Sequence, residues 1–253
     1  MLVAERHKKI VDLVNERTSI RVTELSKIFS VTEETIRRDL EKLEKENLLM
    51  RSHGGAVRME KDNVETSYAE REITNAAEKK AIARLAVNFI HEGDQILLDA
   101  STTAWYVAKE LPDIPLTVVT NSIKVALELS RKEQIKVIST GGALLSQSLS
   151  YVGPLAERSI SMYHVNKAFL SCKGVHLVRG LSDSIESQAL LKKQMMDIAD
   201  ETFLMVDSSK FGTQAFSHIS PIHAIDAVIT DENVDEITTK ELKEMDIKIE
   251  IAK

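Results

Sequence analysis

The chain has 253 residues, 43% hydrophobic and 28% charged, with a formal net charge of −6. That is the composition of a soluble globular protein, and the length suits two domains rather than one small module. No run of about 18 apolar residues and no signal-peptide pattern occurs, which argues against a membrane-spanning helix and leads us to expect a cytoplasmic protein. Cys172 is the only cysteine, so no internal disulfide or thiolate metal cluster can form within one chain, and a buried, inert thiol is expected.

Ile10, Leu13 and Val14 repeat at helical spacing and predict a first helix of about three turns. Ile20 to Val22 read as a short strand. Thr23 is placed to cap a second, short helix in which Leu25, Ile28 and Phe29 follow the i, i+3, i+4 rule, and Ser30-Val31 is then a tight connection into a third. The start of that third helix is well specified. Thr32 sits at the N-cap, Glu33 and Glu34 favour the positive dipole end, and Val31 can staple against Ile36. At about 100° per residue, Ile36, Leu40 and Leu43 form one apolar stripe, while Glu34, Arg38, Glu41 and Lys45 point the opposite way and Thr35 and Arg37 lie on the flanks. Taken alone, such a polar face is an ordinary solvated surface laced with Glu/Lys pairs. The helix-turn-helix formed with the preceding segment shifts the balance towards a DNA-reading helix. Leu48 to Arg51 and Ala56-Val57 flank Ser52-His53-Gly54-Gly55, a glycine hairpin that reads as a wing.

Net charge divides unevenly. Residues 1–58 hold 12 Lys and Arg against 10 Asp and Glu, a net of +2, which leaves 21 against 29 for the rest. A net of +2 is weak for a DNA module. Affinity must come from local clustering of Arg37, Arg38, Lys42, Lys45 and Arg51, and from a homodimer or homotetramer that multiplies the contacts.

The stretch Thr32 to Val57, TEETIRRDLEKLEKENLLMRSHGGAV, resembles the winged helix-turn-helix of the DeoR family of bacterial transcriptional regulators. The match is carried above all by Thr35-Ile36-Arg37-Arg38-Asp39-Leu40 and His53-Gly54-Gly55-Ala56. The family usually has a helix-ending Gly where this chain has Asn47, the next best residue for a left-handed cap. The expected DNA-binding residues are Thr32, Thr35, Arg37, Arg38 and Lys42 on the helix, with Arg51 and His53 on the wing. The expected partner is double-stranded operator DNA.

Beyond the wing, residues 58–75 are polar and low in aliphatics and read as a linker, with Lys61-Asp62-Asn63 as its turn. Ile82, Leu85, Ala86, Phe89 and Ile90 restore helical spacing, with Thr74 or Asn75 as cap and His91-Glu92-Gly93 as stop. Seven apolar, β-branched runs follow: 96–99, 116–120, 135–139, 168–172, 203–206, 227–230 and 247–251. Most are separated by helical segments, and their lack of polar alternation predicts a mostly parallel α/β sheet covered on both faces. The expected organisation is a winged helix-turn-helix at 1–57, a linker at 58–75 and a larger Rossmann-like α/β domain at 76–253.

In such sheets ligands bind beyond the carboxyl ends of the strands. Asp99 to Thr103, Thr120 to Ser122 and Thr140-Gly141-Gly142 each bring hydroxyls or free N–H groups to a strand end. Any one of them is more simply a helix cap, but three converging loops favour a polyanion site. Lys173, Asp183, Glu186 and Lys210 add charge at later strand ends. Residues 75 to 251 also resemble the DeoR-family effector domain, itself similar to ribose-5-phosphate isomerase. The resemblance implies a phosphate loop at Ser101, Thr102 and Thr103, an acidic helix start at Glu186, and a lysine facing a sugar phosphate at Lys210. From the loops we expect Asp99, Asn121, Gly141, Gly142 and Asp183 to complete the effector site.

Two departures matter. Ser101 replaces a Gly usual in the phosphate loop, and Ser171-Cys172-Lys173-Gly174 stands where the family commonly shows Gly-Ala-Asp-Gly. The lost Asp aligns with acid-base machinery of the isomerase, and a lysine cannot act as its carboxylate at neutral pH. Lys173 is either a second cation for an anionic effector or a surface lysine. The expected function is a repressor of a sugar-catabolism operon controlled by a phosphorylated sugar. The rival is a sugar-phosphate isomerase or transferase with an accessory DNA-binding head. No Ser/His/Asp set, no zinc spacing and no nucleotide-binding glycine motif occurs, so we expect neither a cofactor nor a metal.

Overall fold

The computed structural model describes residues 3–17, 19–45, 48–52, 54–57 and 66–253. The chain divides after Lys61 into two compact units. The smaller contains α1 (Val3–Arg17), β1 (Ser19–Arg21), α2 (Val22–Phe29), α3 (Glu33–Lys45), β2 (Met50–Ser52) and β3 (Gly55–Val57). Ile10 and Val14 of α1, Leu25 of α2, and Ile36, Leu40 and Leu43 of α3 meet in one core, closed by Leu49 and Ala56. The strands form an antiparallel sheet in the order β1-β3-β2, which completes a winged helix-turn-helix. Gly55 is required there because a Cβ would stand 2.4 Å from the Ile20 carbonyl oxygen of the neighbouring strand.

Two local expectations are corrected. Thr23 lies inside α2, whose N-cap is Arg21, and Ile28 is 46% exposed rather than in the core. Asn47, His53 and the Lys61-Asp62-Asn63 turn lie outside the described residues.

The larger unit opens with α4 (Tyr68–Ile73) and α5 (Ala76–Val87). There follow β4 (Gln95–Leu98), α6 (Thr102–Glu110), β5 (Leu116–Thr120), α7 (Ile123–Leu129) and β6 (Ile135–Ser139). A hairpin of β7 (Ala143–Leu145) and β8 (Ser150–Val152) leads to α8 (Pro154–Ile160) and β9 (Val165–Leu170). Next come β10 (Gly174–His176), β11 (Gly180–Asp183), α9 (Glu186–Asp197), β12 (Ala199–Met205) and β13 (Ser217–Ser220). The last elements are β14 (Ala227–Asp231), α10 (Glu236–Glu244) and β15 (Lys248–Ala252).

All seven predicted runs fall in one parallel sheet of order β15-β14-β12-β9-β4-β5-β6. Alternate residues of each strand feed different cores. Ile96, Leu98, Val118 and Phe169 face α5, α6 and α7, whereas Leu97, Val119, Ala168 and Leu170 face the α8, α9 and α10 side. Burial on both faces explains why the central strands carry no polar alternation, whereas the edge strands β6 and β15 are partly exposed and do alternate. Phe169 stacks on Phe203 at 4.9 Å across the middle of the sheet.

The linker expectation for 66–75 is also corrected. Residues 68–73 are α4, and Tyr68 is buried in the larger core beside Ile82 and Trp105. The sequence patterning missed it because six residues are too short to show a period, and Ile73 is 77% exposed.

Candidate functional site

On the smaller unit the candidate surface is formed by α3 and the β2–β3 turn. Thr32 Oγ1 accepts the Thr35 N–H at 3.3 Å and lies 2.9 Å from the Thr35 hydroxyl, so these two residues complete the helix start. With the apolar stripe turned inward, Arg37 and Arg38 are exposed. Together with Arg51 of β2 they border one concave surface that also includes Gly54 and Gly55. Each guanidinium has a carboxylate beside it: Arg37 and Glu33 at 2.8 Å, Arg38 and Glu34 at 3.4 Å, Arg51 and Glu44 at 3.6 Å. Exposed pairs of this kind contribute only about 0–1 kcal/mol. They orient the arginines without holding them back from a phosphate or a guanine edge. Lys42 does not join this surface. It lies on the flank shared with Thr35 and lines a groove with Lys8 and Asp12.

Behind that surface Asp39, on the buried side of α3, is gripped by α1. Arg6 donates to its two oxygens at 2.6 and 3.1 Å, and His7 Nε2 lies 3.0 Å from Oδ1. Burial raises the tendency of Asp39 to hold a proton, but Arg6 and His7 outweigh it and keep the carboxyl below its usual range. The sequence signal was a charged residue inside the apolar stripe, three positions after Ile36.

In the larger unit the strand order reverses between β4 and β9. Connections from β4 run over one face of the sheet and those from β9 over the other, so a crevice opens beyond their carboxyl ends. A cavity of about 140 Å³ occupies it. One wall is the loop after β4. Asp99 is fully buried and accepts the N–H groups of Ser101 and Ser171, each at 3.0 Å. Both of its oxygens are committed to the backbone, so it shapes the wall rather than lining the cleft as expected. Ser101 caps α6 by accepting the Ala104 N–H at 3.0 Å. Thr102 and Thr103 line the cleft from the first turn of α6, where N–H groups have no intrahelical partners and the dipole is positive.

Lys173, after β9, and Lys210, after β12, are half-buried and line the same cleft. Three further cations escaped the sequence analysis. Lys192 of α9 donates to Asp183 at 2.6 Å and to the Ser171 carbonyl at 2.7 Å, and lies 3.6 Å from Asp99. Burial disfavours its charge, but Asp183 and Asp99 more than restore it, so it stays an ammonium. Lys79 of α5 donates to the carbonyls of Arg71 and Thr74, both at 2.6 Å, and burial lowers it to about 8 against the opposing pull of Asp207. Arg71 itself comes from α4, with its guanidinium 5.7 Å from the centre of the Tyr68 ring. Lys79 and Lys192 had a readable signal, because each interrupts an apolar stripe: Lys79 before Ile82 and Ala86, and Lys192 between Ala189 and Met195.

Other expected residues stand elsewhere. Asn121 is buried, donating to the Tyr151 carbonyl at 3.0 Å, and Thr120 and Ser122 are used up in capping α7. Gly141 and Gly142 turn the chain after the edge strand β6. A Cβ on Gly142 would meet the Val152 carbonyl oxygen at 2.8 Å. These two loops belong to the half of the sheet beyond β4, away from the reversal. Glu186 is exposed at the start of α9 and does not line the cleft. Cys172 does, but its thiol donates to the Gly174 carbonyl at 3.3 Å and burial pushes it up to about 12, so it is no nucleophile.

Comparison with known proteins gives a consistent picture. Residues 6–62 match the model of the DeoR-like helix-turn-helix domain, and residues 74–232 that of the DeoR C terminal sensor domain. The chain is 61% identical over 249 residues to the uncharacterized HTH-type transcriptional regulator YulB of Bacillus subtilis, covering 98% of this chain and 96% of that one. It is 35% identical to the L-fucose operon activator of Haemophilus influenzae, over 96% and 97% of the two chains. It is also 35% identical to the HTH-type transcriptional repressor GlcR of Bacillus subtilis, over 91% and 89%. Among solved structures, ribose 5-phosphate isomerase A of Methanocaldococcus jannaschii shares 19% identity over 55% of each chain at a TM-score of 0.41.

Proposed function

The chain belongs to the DeoR family of transcriptional regulators, and from that premise we propose that it represses a sugar-catabolism operon and is controlled by a phosphorylated sugar bound in the cleft of the larger unit. The family is one of regulators, so the enzyme alternative is set aside. Operator DNA is read by α3 through Arg37 and Arg38, with Thr35 on the flank and Arg51 of the wing at the backbone. A net charge of +2 on residues 1–58 is too little for one head to hold a short site, so the working species is a homodimer or homotetramer.

The observation that carries the effector reading is the meeting of the α6 N-terminus with Lys210, Lys173 and Lys79 around a single crevice. Free N–H groups, hydroxyls and ammoniums together favour a dianion over a neutral sugar, and charged hydrogen bonds contribute about 1.5–3 kcal/mol each. Asp183, fixed by Lys192, and Asn75 offer polar contacts for sugar hydroxyls.

The test is a panel of pentose and hexose phosphates against the matching free sugars, read as release of an operator fragment. We expect release by a phosphorylated member only. Thr103→Ala and Lys210→Ala proteins should bind operator normally and respond to at least tenfold more effector. Release by the free sugar at the same concentration, or unaltered response in both variants, would overturn the assignment of the cleft.

A further inference from the structure

Resting on the reading that the cleft takes a phosphorylated anion, we propose that the segment Tyr68–Asn75 is a strap whose fastening depends on cleft occupancy and which passes that occupancy to the DNA-reading head. Only residues 58–67 separate it from the end of β3 in the chain.

The strap is lightly packed. Tyr68 is its one buried side chain, and Ile73 is turned to solvent. Polar fastenings hold it instead. Lys79 Nζ donates to the carbonyls of Arg71 and Thr74, the Thr102 hydroxyl lies 3.5 Å from the same Arg71 carbonyl, and Asn75 Nδ2 donates to Asp207 at 2.9 Å. Lys79 stands on α5, Thr102 on α6 and Asp207 in the loop after β12, and all three line the cleft together with Asn75 of the strap. Other fastenings lie outside it: the Tyr68 N–H donates to the Gln147 carbonyl at 2.7 Å, Tyr106 donates its hydroxyl to the Glu72 carbonyl at 3.1 Å, and Lys124 pairs with Glu72 at 3.3 Å.

The consequence is competition for the same donors. An ammonium has three N–H bonds, and two of those on Lys79 serve the strap. A dianion meeting Lys79 and Thr102 is the stronger acceptor, since it adds attraction between opposite full charges at Lys79 and makes the bond from the Thr102 hydroxyl a charge-assisted one. Occupancy therefore draws these donors off the Arg71 and Thr74 carbonyls. With little apolar contact to hold it, the strap is at the low-stability end of the fold and shifts. The ligand thereby acquires different affinities for two strap positions, which is what coupling to the head requires.

The experiment uses the full chain with inorganic phosphate as the probe and chloride at matched ionic strength as the control. Tyr106→Phe and Glu72→Gln loosen the strap without touching the cleft lining. Phosphate affinity is measured by calorimetry, operator affinity by fluorescence anisotropy with and without phosphate, and amide exchange across residues 68–75 by mass spectrometry. We expect phosphate to change exchange across 68–75 in the wild-type chain. Both variants should bind phosphate at least as tightly as wild type, because a loosened strap shifts at lower cost, while the ratio of operator affinities with and without phosphate changes at least threefold. An unchanged ratio in both variants, or bound phosphate that leaves both the 68–75 exchange and operator affinity untouched, overturns the strap alone. No phosphate binding to the wild-type chain overturns the phosphate reading of the cleft and the strap with it.

Discussion

Replacing Asp39 with Ala should strongly destabilise the head while leaving the larger unit unaffected. Asp39 is 6% exposed and Arg6 8%, so the substitution strands a guanidinium in a buried site with no counter-charge. Breaking a buried pair in this way costs about 3–5 kcal/mol. A head of this size is stable by only about 3–8 kcal/mol at the usual 0.05–0.15 kcal/mol per residue. Urea titration with two probes separates the units, because Trp105 is the only tryptophan and lies in the larger one. Circular dichroism should then show an early transition that the fluorescence of Trp105 does not. Arg6→Met with Asp39→Leu removes both charges and should recover most of the loss. Acidity has the same target. The folded Asp39 carboxyl is held below its ordinary value, so the contribution is complete above the unfolded value near 4 and is lost as pH falls through the folded one. The head of the wild-type chain should lose stability below about pH 4, and the Ala variant should lack that loss. Coincident transitions in the Ala protein at the wild-type midpoint would refute the argument.

Arg38→Ala should abolish operator preference, since a bidentate arginine on guanine is worth about 1–3 kcal/mol. Full preference retained by both the Arg37→Ala and Arg38→Ala proteins in competition binding would remove α3 from the recognition role. Gly55→Ala forces a Cβ against the Ile20 carbonyl oxygen and should destabilise the head by about 1–3 kcal/mol, seen as a lower midpoint of the early transition only. Sedimentation at micromolar concentration should return at least a dimer; a sole 28.3 kDa species, with and without operator, would contradict the assembly.

The parallel sheet was legible because its central strands are buried on both faces, which leaves unbroken apolar runs such as 96–98. α3 was legible because a cap, a dipole and a stripe all agree. The cleft was read only in part. Loop chemistry pointed to Ser101 to Thr103 and the family resemblance to Lys210, which do line one cleft, but which loops converge depends on strand order, and the reversal between β4 and β9 cannot be read from strand composition. That is why Asn121, Gly141 and Gly142 were drawn into a site that their strands lead away from. Arg71 was hidden in a helix too short to show a period. Asp99 was placed correctly at the strand end, but sequence does not reveal that its two oxygens are already spent on Ser101 and Ser171.

The loop after β4 is held in shape by the protein's own groups. Asp99 holds it from below, Ser101 caps the helix it opens, and Lys192 ties Asp99 to Asp183 across the crevice. A ligand met by such a loop loses little of its binding energy to ordering the protein. The cost of being rigid has been met during folding, by interactions made outside the cavity. The cradle and the walls can then vary separately over evolutionary time. On the proposed reading, an exchange on another wall, at Ser209 for example, would change what else the cleft accepts while the anion hold at the start of α6 stays intact.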